Sequence, residues 1–242
     1  YRNTFGAGGG ANSGPNVAPP TGHTATGGVI QDYTHPDGNV YRSHIFTSTG
    51  SFNLTAIGDF GSTVDYLVVG GGGGGGSSNP STNGGGGGAG GFRTSDPNSP
   101  LKGTALTVSV QNYPVTIGGG GAGGVSGAPS TFSTITSTGG GRGGGASGAA
   151  GNGGSGGGGT GSGPSNPGGS GNTPPTTPSQ GNNGAQSPGE AGTGGGGGGA
   201  GAAAGESPSV SPAGVGAQCL LAGPPTASQP VGTPGPSGTG WF

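Results

Sequence analysis

The sequence predicts an all-β, partly irregular protein without α-helix, in which a small antiparallel β region feeds a bundle of packed polyglycine-II helices. Three observations lead there. Glycine and proline supply 72 and 22 of the 242 residues, a share at which ordinary helices and sheets do not persist. Short β-branched and aromatic runs are concentrated before residue 133. Glycine then follows directly on two of those runs, at Gly70 to Gly76 and from Gly118 onward. Glycine loses more conformational freedom on folding than any other residue and has no side chain to bury, so such runs are ordered only where backbone packs on backbone. A polyproline-II-like helix of glycine points its N–H and C=O groups sideways, and neighbouring rods of this kind satisfy one another.

Residues 1–27, rich in Gly, Pro and Asn, read as a linker or attachment segment. Residues 28–69 read as an antiparallel meander. Val40 to Thr47, Ser51 to Ile57 and Thr63 to Val69 carry the β-branched and aromatic residues of strands and are bounded by turn formers. Phe52, Leu54 and Ala56 alternate with Ser51, Asn53 and Thr55, which hides one face. Pro36-Asp37-Gly38 and Ser48-Thr49-Gly50 supply turns.

Residues 70–242 read as the polyglycine-II domain, with short strands at 104–117. There Leu106, Val108 and Val110 alternate with polar neighbours, and Gln111-Asn112 separates them from Tyr113 to Ile117. Gly70, Gly73, Gly76, Gly118, Gly121, Gly194 and Gly197 are the structural glycines of the rods, and turns such as Ser77 to Asn83 and Ser126 to Ser130 link them. Ala89, Ala122 and Ala200 interrupt the runs, so their methyls must point outward or plug a gap. The one local helix candidate, Ala200 to Glu206, contains Gly201 and Gly205 and abuts Pro208.

Charge and composition exclude several function classes. With 5 Lys and Arg against 7 Asp and Glu, and with Arg2, Arg42, Arg93, Lys102 and Arg142 scattered singly, no basic surface awaits nucleic acid. The strict period of collagen is absent. Gly118, Gly120 and Gly123 match a dinucleotide fingerprint, but neither the helix nor the acidic residue that gives it a mechanism follows. His23, His35 and His44 read as surface histidines, with His44 half-buried in a strand, and together with the single Cys219 they cannot complete a zinc tetrad. Cys219 reads as a small buried apolar residue. Asp32, Asp37, Asp59 and Asp65 lack the buried context of a catalytic pair, and Asp37 and Asp59 read as turn residues. No cofactor, no metal and no enzymatic activity are expected. Tyr33, Tyr41, Phe46, Phe52, Phe60 and Tyr66 read as core.

Recognition falls to the polar turns. Asn79, Asn83, Asn98, Asn182, Asn183 and Gln186 offer amide donors and acceptors suited to a glycan, or else serve only as turn formers.

The run from Tyr41 through Ser51-Phe52, the Val64-Asp65-Tyr66-Leu67-Val68-Val69 segment entering Gly70 to Gly76, Gly85 to Arg93, Tyr113 to Gly118, Ser130-Thr131-Phe132 and Gly171 to Pro178 occur in an order that resembles a known family. It is the glycine-rich domain of bacteriophage structural proteins, as in marine phages and cyanophages, which includes tail-tip adhesins built on polyglycine-II helices. The resemblance spans roughly residues 28–200. It implies a virion structural protein, a distal tail-fibre or adhesin module that touches the host cell surface. Its partners would be other fibre or baseplate proteins and a host-surface glycan or outer-membrane protein, and a homotrimer is the usual fibre stoichiometry. Two other readings stay open: a capsid or baseplate decoration fibre without receptor binding, and a bacterial extracellular filament.

Overall fold

The computed structural model describes residues 2–3, 20–34, 38–146, 148–161, 166–188, 193–206, 211–221, 233–235 and 238–242. Most of the linker expected at 1–27 lies outside them, as do His35, Pro36, Asp37 and Pro208. Among the described residues there is no α-helix, and Ala200 to Glu206 is irregular.

Among the described residues, fourteen strands occur in chain order. They are β1 (Arg2–Asn3), β2 (Thr24–Thr26), β3 (Val29–Thr34), β4 (Val40–Ile45), β5 (Gly50–Ala56), β6 (Thr63–Val64) and β7 (Leu67–Val69). There follow β8 (Phe92–Thr94), β9 (Leu106–Thr107), β10 (Gln111–Thr116), β11 (Ser130–Phe132), β12 (Ile135–Ser137), β13 (Thr233–Gly235) and β14 (Gly238–Trp241). The largest sheet has the order β12-β11-β10-β5-β2, a second has the order β1-β4-β3, and β6-β9, β7-β8 and β13-β14 form separate pairs. All these strand pairs are antiparallel.

The strands of 28–69 therefore do not pair as a sequential meander. β3 and β4 form a hairpin, whereas β5 leaves that sheet and lies between β2 and β10. The chain changes sheets between β4 and β5 at residues 46–49, and between β2 and β3 at Gly27 (φ 107°) and Gly28 (φ 64°), in the left-handed region that other residues avoid. A Cβ at Gly27 would also overlap the Ser51 carbonyl. Thr63 to Val69 likewise divides into β6 and β7, because the Tyr66 N–H donates to Ser95 Oγ at 2.9 Å instead of to a neighbouring strand. Gln111 and Asn112, expected in a turn, open β10 opposite Leu54 and Asn53.

Two apolar clusters hold the β region. Phe52 and Leu54 of β5 and Tyr113 and Val115 of β10 turn the same way, as period-two alternation requires, and meet Ala25, Val64 and Val108. Ala56 and Val110, the outer members of the two alternating sets, are exposed. The Tyr113 hydroxyl leaves this core by accepting from the Ser109 N–H at 2.8 Å and donating to the Ser109 carbonyl at 3.1 Å. The second cluster gathers Phe92, Ala200, Ala217 and Cys219, with Phe242 packed beside them. Ala217 and Phe242 exchange both backbone hydrogen bonds, at 2.9 and 3.0 Å.

Beyond the strands, hydrogen bonds between glycine runs recur every third residue. Gly70, Gly73 and Gly76 donate to the carbonyls of Gly91, Gly88 and Gly85 at 2.8 Å. Their neighbours Gly71 and Gly74 donate to Ala128 and Val125, and the carbonyls of Gly72 and Gly75 accept from Gly121 and Gly124. A β-ladder alternates with a period of two, so this array is not a sheet. The same spacing ties Gly85, Gly88 and Gly91 to Gly144, Gly141 and Thr138, and ties Gly195 and Gly198 to Gly159 and Gly156. Ser126 to Ser130 is not a simple turn. The chain reverses at Ala122 to Val125, and residues 125–128 run back against 118–124 and 70–76.

Close approach explains the composition. A Cβ at Gly73 would overlap the Gly141 carbonyl, one at Gly157 the Arg142 carbonyl and one at Gly197 the Gly87 carbonyl. Ala89 and Ala122 are exposed with their methyls outward, while Ala200 is buried and fills the second cluster. Of the remaining structural glycines, Gly118 donates to Ser130 Oγ at 2.9 Å, Gly121 donates to the Gly72 carbonyl at 2.8 Å, and Gly194 abuts Gly84.

Candidate functional site

The glycine array has two unlike ends. At one, Val69 of β7 runs into Gly70, Thr116 at the end of β10 is followed by Ile117 and Gly118, and Ser137 at the end of β12 by Thr138 and Gly139, so the strands cap it. At the other, the chain turns back through loops. Residues 77–83 join the first two runs, and the Ala146 N–H donates to the Ser77 carbonyl at 3.1 Å, bringing the 145–148 turn alongside. The Gly161 N–H and the Thr160 hydroxyl donate to the Asn83 carbonyl at 2.8 and 3.3 Å. Asn166 Nδ2 donates to the Thr160 carbonyl at 3.0 Å, and the Ser187 N–H donates to the Asn166 carbonyl at 2.9 Å. These contacts make one continuous surface from separate loops.

Within it the backbone is held locally. Asn79 and Thr82 exchange two backbone bonds, at 2.9 and 3.1 Å, and Asn79 Oδ1 accepts from the Ser81 N–H at 2.9 Å, an Asx turn around Pro80. Gly145 and Gly148 exchange the same pair of bonds. Ser187 is fully buried and its hydroxyl donates to the Thr193 carbonyl at 3.0 Å, closing the last of these loops. None of the described residues at 77–83, 145–148, 160–166 and 187–193 is charged, whereas Glu206 stands exposed next to the Gly205–Pro212 backbone bond, near the Ser211 contact with the Gln186 carbonyl. Arg142 reaches toward them from within its run and donates from Nε to the Ala149 carbonyl at 3.3 Å. The surface thus offers hydroxyls, carboxamides and backbone groups, the donors and acceptors that complement a neutral polyhydroxylated ligand.

The sequence candidates divide over the molecule. Asn79 and Asn83 stand exposed in the 77–83 loop, and Gln186 is exposed beside Ser187 at the same end. Asn98 lies at the strand end, in a turn where its N–H donates to Asp96 Oδ1 at 2.9 Å. Asn182 sits inside the array, and its Nδ2 donates to the Gly199 and Ala200 carbonyls at 3.1 and 3.0 Å. Asn183 Oδ1 accepts from the Gly171 N–H at 2.8 Å. Thr160, Asn166, Ser187 and Thr193 join the loop surface without having been singled out. The one sequence signal for any of them is Asn166 before Pro167-Gly168, a turn-forming order.

The strand end holds a cavity of about 320 Å³, lined among others by Tyr41, His44, Phe46, Phe52, Tyr66 and Phe132. Phe52 makes T-shaped contacts with His44 and Phe132, with ring centroids 5.0 and 5.9 Å apart. His44 Nδ1 donates to the Gly27 carbonyl at 2.8 Å, and burial of the ring pulls its pKa below the ordinary histidine value. Beside it Arg42 holds Asp32 with two bonds of 2.7 Å, and that contact lowers the Asp32 carboxyl. Phe60, expected in the core, is instead exposed in a loop.

His23 corrects the expectation of a surface histidine. It is 6% exposed, its Nδ1 accepts from the Gly58 N–H at 3.0 Å, and its Nε2 faces the Thr63 carbonyl at 3.2 Å. A carbonyl only accepts, so the ring carries its proton on Nε2 and ties the 58–63 loop to β2. Asp59 is an exposed turn residue whose carboxylate accepts from the Thr21 N–H at 2.7 Å. Among the described residues, no three His, Cys, Asp or Glu side chains converge where a metal could sit. No helix follows Gly118 to Gly123, so the phosphate geometry of the dinucleotide fingerprint is not built there.

A family model described as a glycine-rich domain matches residues 47–241. No curated protein and no solved structure matches the chain.

Proposed function

The chain belongs to this glycine-rich domain family, and from that premise we propose a non-enzymatic virion structural protein: a distal tail-fibre or adhesin module. Its glycine runs act as a bundle of polyglycine-II rods that carries polar loops to a host cell surface. The three-residue recurrence of the bonds between runs supports the rod reading, since polyproline-II-like helices have three residues per turn.

The observation that carries the functional reading is the separation of ends. The strands and both apolar clusters lie at one end, and polar loops from distant parts of the chain meet at the other. A scaffold fixed by backbone bonds leaves loop side chains free to differ without loss of the fold, the arrangement suited to recognition. Contacts with a glycan or an outer-membrane protein are individually weak. Several copies on one particle raise the effective concentration and make attachment firm.

The test is adsorption. The purified chain should compete with phage particles for host cells, and replacing Asn79 to Asn83 by a Gly-Ser loop of equal length should abolish competition while leaving the melting temperature unchanged. Competition that survives the loop exchange would remove the loops from the role. Binding of antibody to capsids instead of tail tips in electron micrographs would favour the decoration reading.

A further inference from the structure

The glycines of the array are not all required by its internal packing. A Cβ at Gly72, Gly75, Gly120 or Gly123 would stand no closer than 3.6, 3.7, 3.6 and 3.9 Å to another atom, which is ordinary van der Waals contact. None of the four has a φ that disfavours a side chain. Comparable outward positions on adjacent runs hold Ala89 and Ala122. All four nevertheless remain glycine, and they lie together, because Gly121 and Gly124 donate to the carbonyls of Gly72 and Gly75.

Part of their backbone hydrogen-bonding capacity is also open among the described residues. The N–H groups of Gly70, Gly71, Gly73, Gly74 and Gly76 all reach a carbonyl, whereas those of Gly72 and Gly75 donate to none among the described residues. The carbonyls of Gly120 and Gly123 accept none. Gly72 is half-buried and the other three are exposed. The two donors and the two acceptors each repeat at the three-residue interval that joins runs inside the molecule.

We propose that this face is a contact between two copies of the chain, in which residues 118–124 of one copy lie along Gly72 and Gly75 of the other. A two-fold rotation brings the Gly72 and Gly75 N–H groups of each copy to the Gly123 and Gly120 carbonyls of its mate. The runs then pair antiparallel, as 70–76 and 84–91 do within one chain. A glycine-rich occupant fits because partner backbones in this array approach so closely that a Cβ on a donor such as Gly73 or Gly76 overlaps a neighbouring carbonyl, and the 118–124 run is glycine except at the outward-facing Ala122. A second copy of this chain supplies such a run, with the Gly120 and Gly123 carbonyls at the matching three-residue interval. The contact rests on the rod reading but not on receptor binding, so a failed adsorption assay leaves it standing.

The test is sedimentation velocity of the full chain over a concentration series, beside a variant carrying Gly75→Ala and Gly123→Ala. The wild type should pass reversibly from monomer to dimer. The variant methyls make only ordinary van der Waals contacts inside the molecule, at 3.7 and 3.9 Å, but would strike the mate, so the dissociation constant should rise by about tenfold or more with an unchanged melting temperature. A wild type that stays monomeric, or a variant that dimerises as well as the wild type, overturns the proposal. Amide hydrogen exchange on the unaltered protein gives a second reading. The Gly72 and Gly75 amides should become protected as concentration rises, and equal exchange at all concentrations overturns the contact even if the variant fails to fold.

Discussion

The Thr138 N–H donates to Gln180 Oε1 at 2.9 Å, so a side chain supplies a bond that the backbone array otherwise makes for itself. Gln180 is fully buried. Its Nε2 donates to the Pro174 carbonyl at 2.8 Å, its N–H donates to Asn172 Oδ1 at 3.2 Å, and its carbonyl accepts from the Phe92 N–H at 2.7 Å. One residue thereby joins the 172–180 loop to the strand end of two runs. Gln180→Leu keeps the volume but leaves the half-buried Thr138 N–H without its acceptor, at about 1–3 kcal/mol, while the Pro174 carbonyl belongs to an exposed residue that water can reach. The variant should lower unfolding free energy by about 1–3 kcal/mol, measured by urea denaturation with an unchanged slope.

The β region was largely legible because side chains encode it. Phe52 and Leu54 alternate with polar residues, and the structure buries both. β8, β11 and β12 are three residues each, too short for a period to declare itself. Which runs lie side by side was not legible, since glycine has no side chain with which to specify a partner. Asn182 shows the same limit at a single residue. Beside Gly181 it reads as a turn former, and only the folded array brings the Gly199 and Ala200 carbonyls to its amide. His23 stands among Gly22, Thr24 and Thr21 with no apolar period to announce its burial.

Glycine should be replaceable according to position and not according to its place in a run. At Gly119 a Cβ meets nothing within 4 Å, whereas at Gly157 it overlaps the Arg142 carbonyl. Gly119→Ala should change stability by no more than about 1 kcal/mol, and in the stabilising direction, because it narrows the unfolded ensemble. Gly157→Ala should destabilise by about 3 kcal/mol or more, beyond the usual overpacking range, because backbone must move. Thermal melts of the two variants side by side check both.

Stability should fall on mild acidification through His44. Burial, the largest influence, pulls its folded pKa below the unfolded value, so the native state favours the neutral ring. Where the unfolded chain binds more protons, stability rises with pH. The His44 contribution is therefore complete above the unfolded value of about 6.5 and is lost as pH falls from there through the folded pKa. Urea midpoints measured between neutral and mildly acidic pH should decline, and His44→Gln should flatten that decline while keeping a donor for the Gly27 carbonyl.

Cys219 should be inert in the native protein. It is 2% exposed in the second cluster, with Thr94 Oγ1 at 3.6 Å from its sulfur, and burial pushes its thiol up to about 12. The thiolate is the reactive form, so neutral pH leaves almost none of it, and access is closed as well. A disulfide-exchange reagent such as dithionitrobenzoate should release no colour from the folded chain and one equivalent after denaturation in guanidinium. Rapid native labelling would mean that the Phe92 and Phe242 packing over the sulfur opens readily. Cys219→Ser should then distinguish the causes: a hydroxyl keeps the Thr94 contact but loses the apolar burial, and a cost of about 1–3 kcal/mol would place the role of this residue in packing.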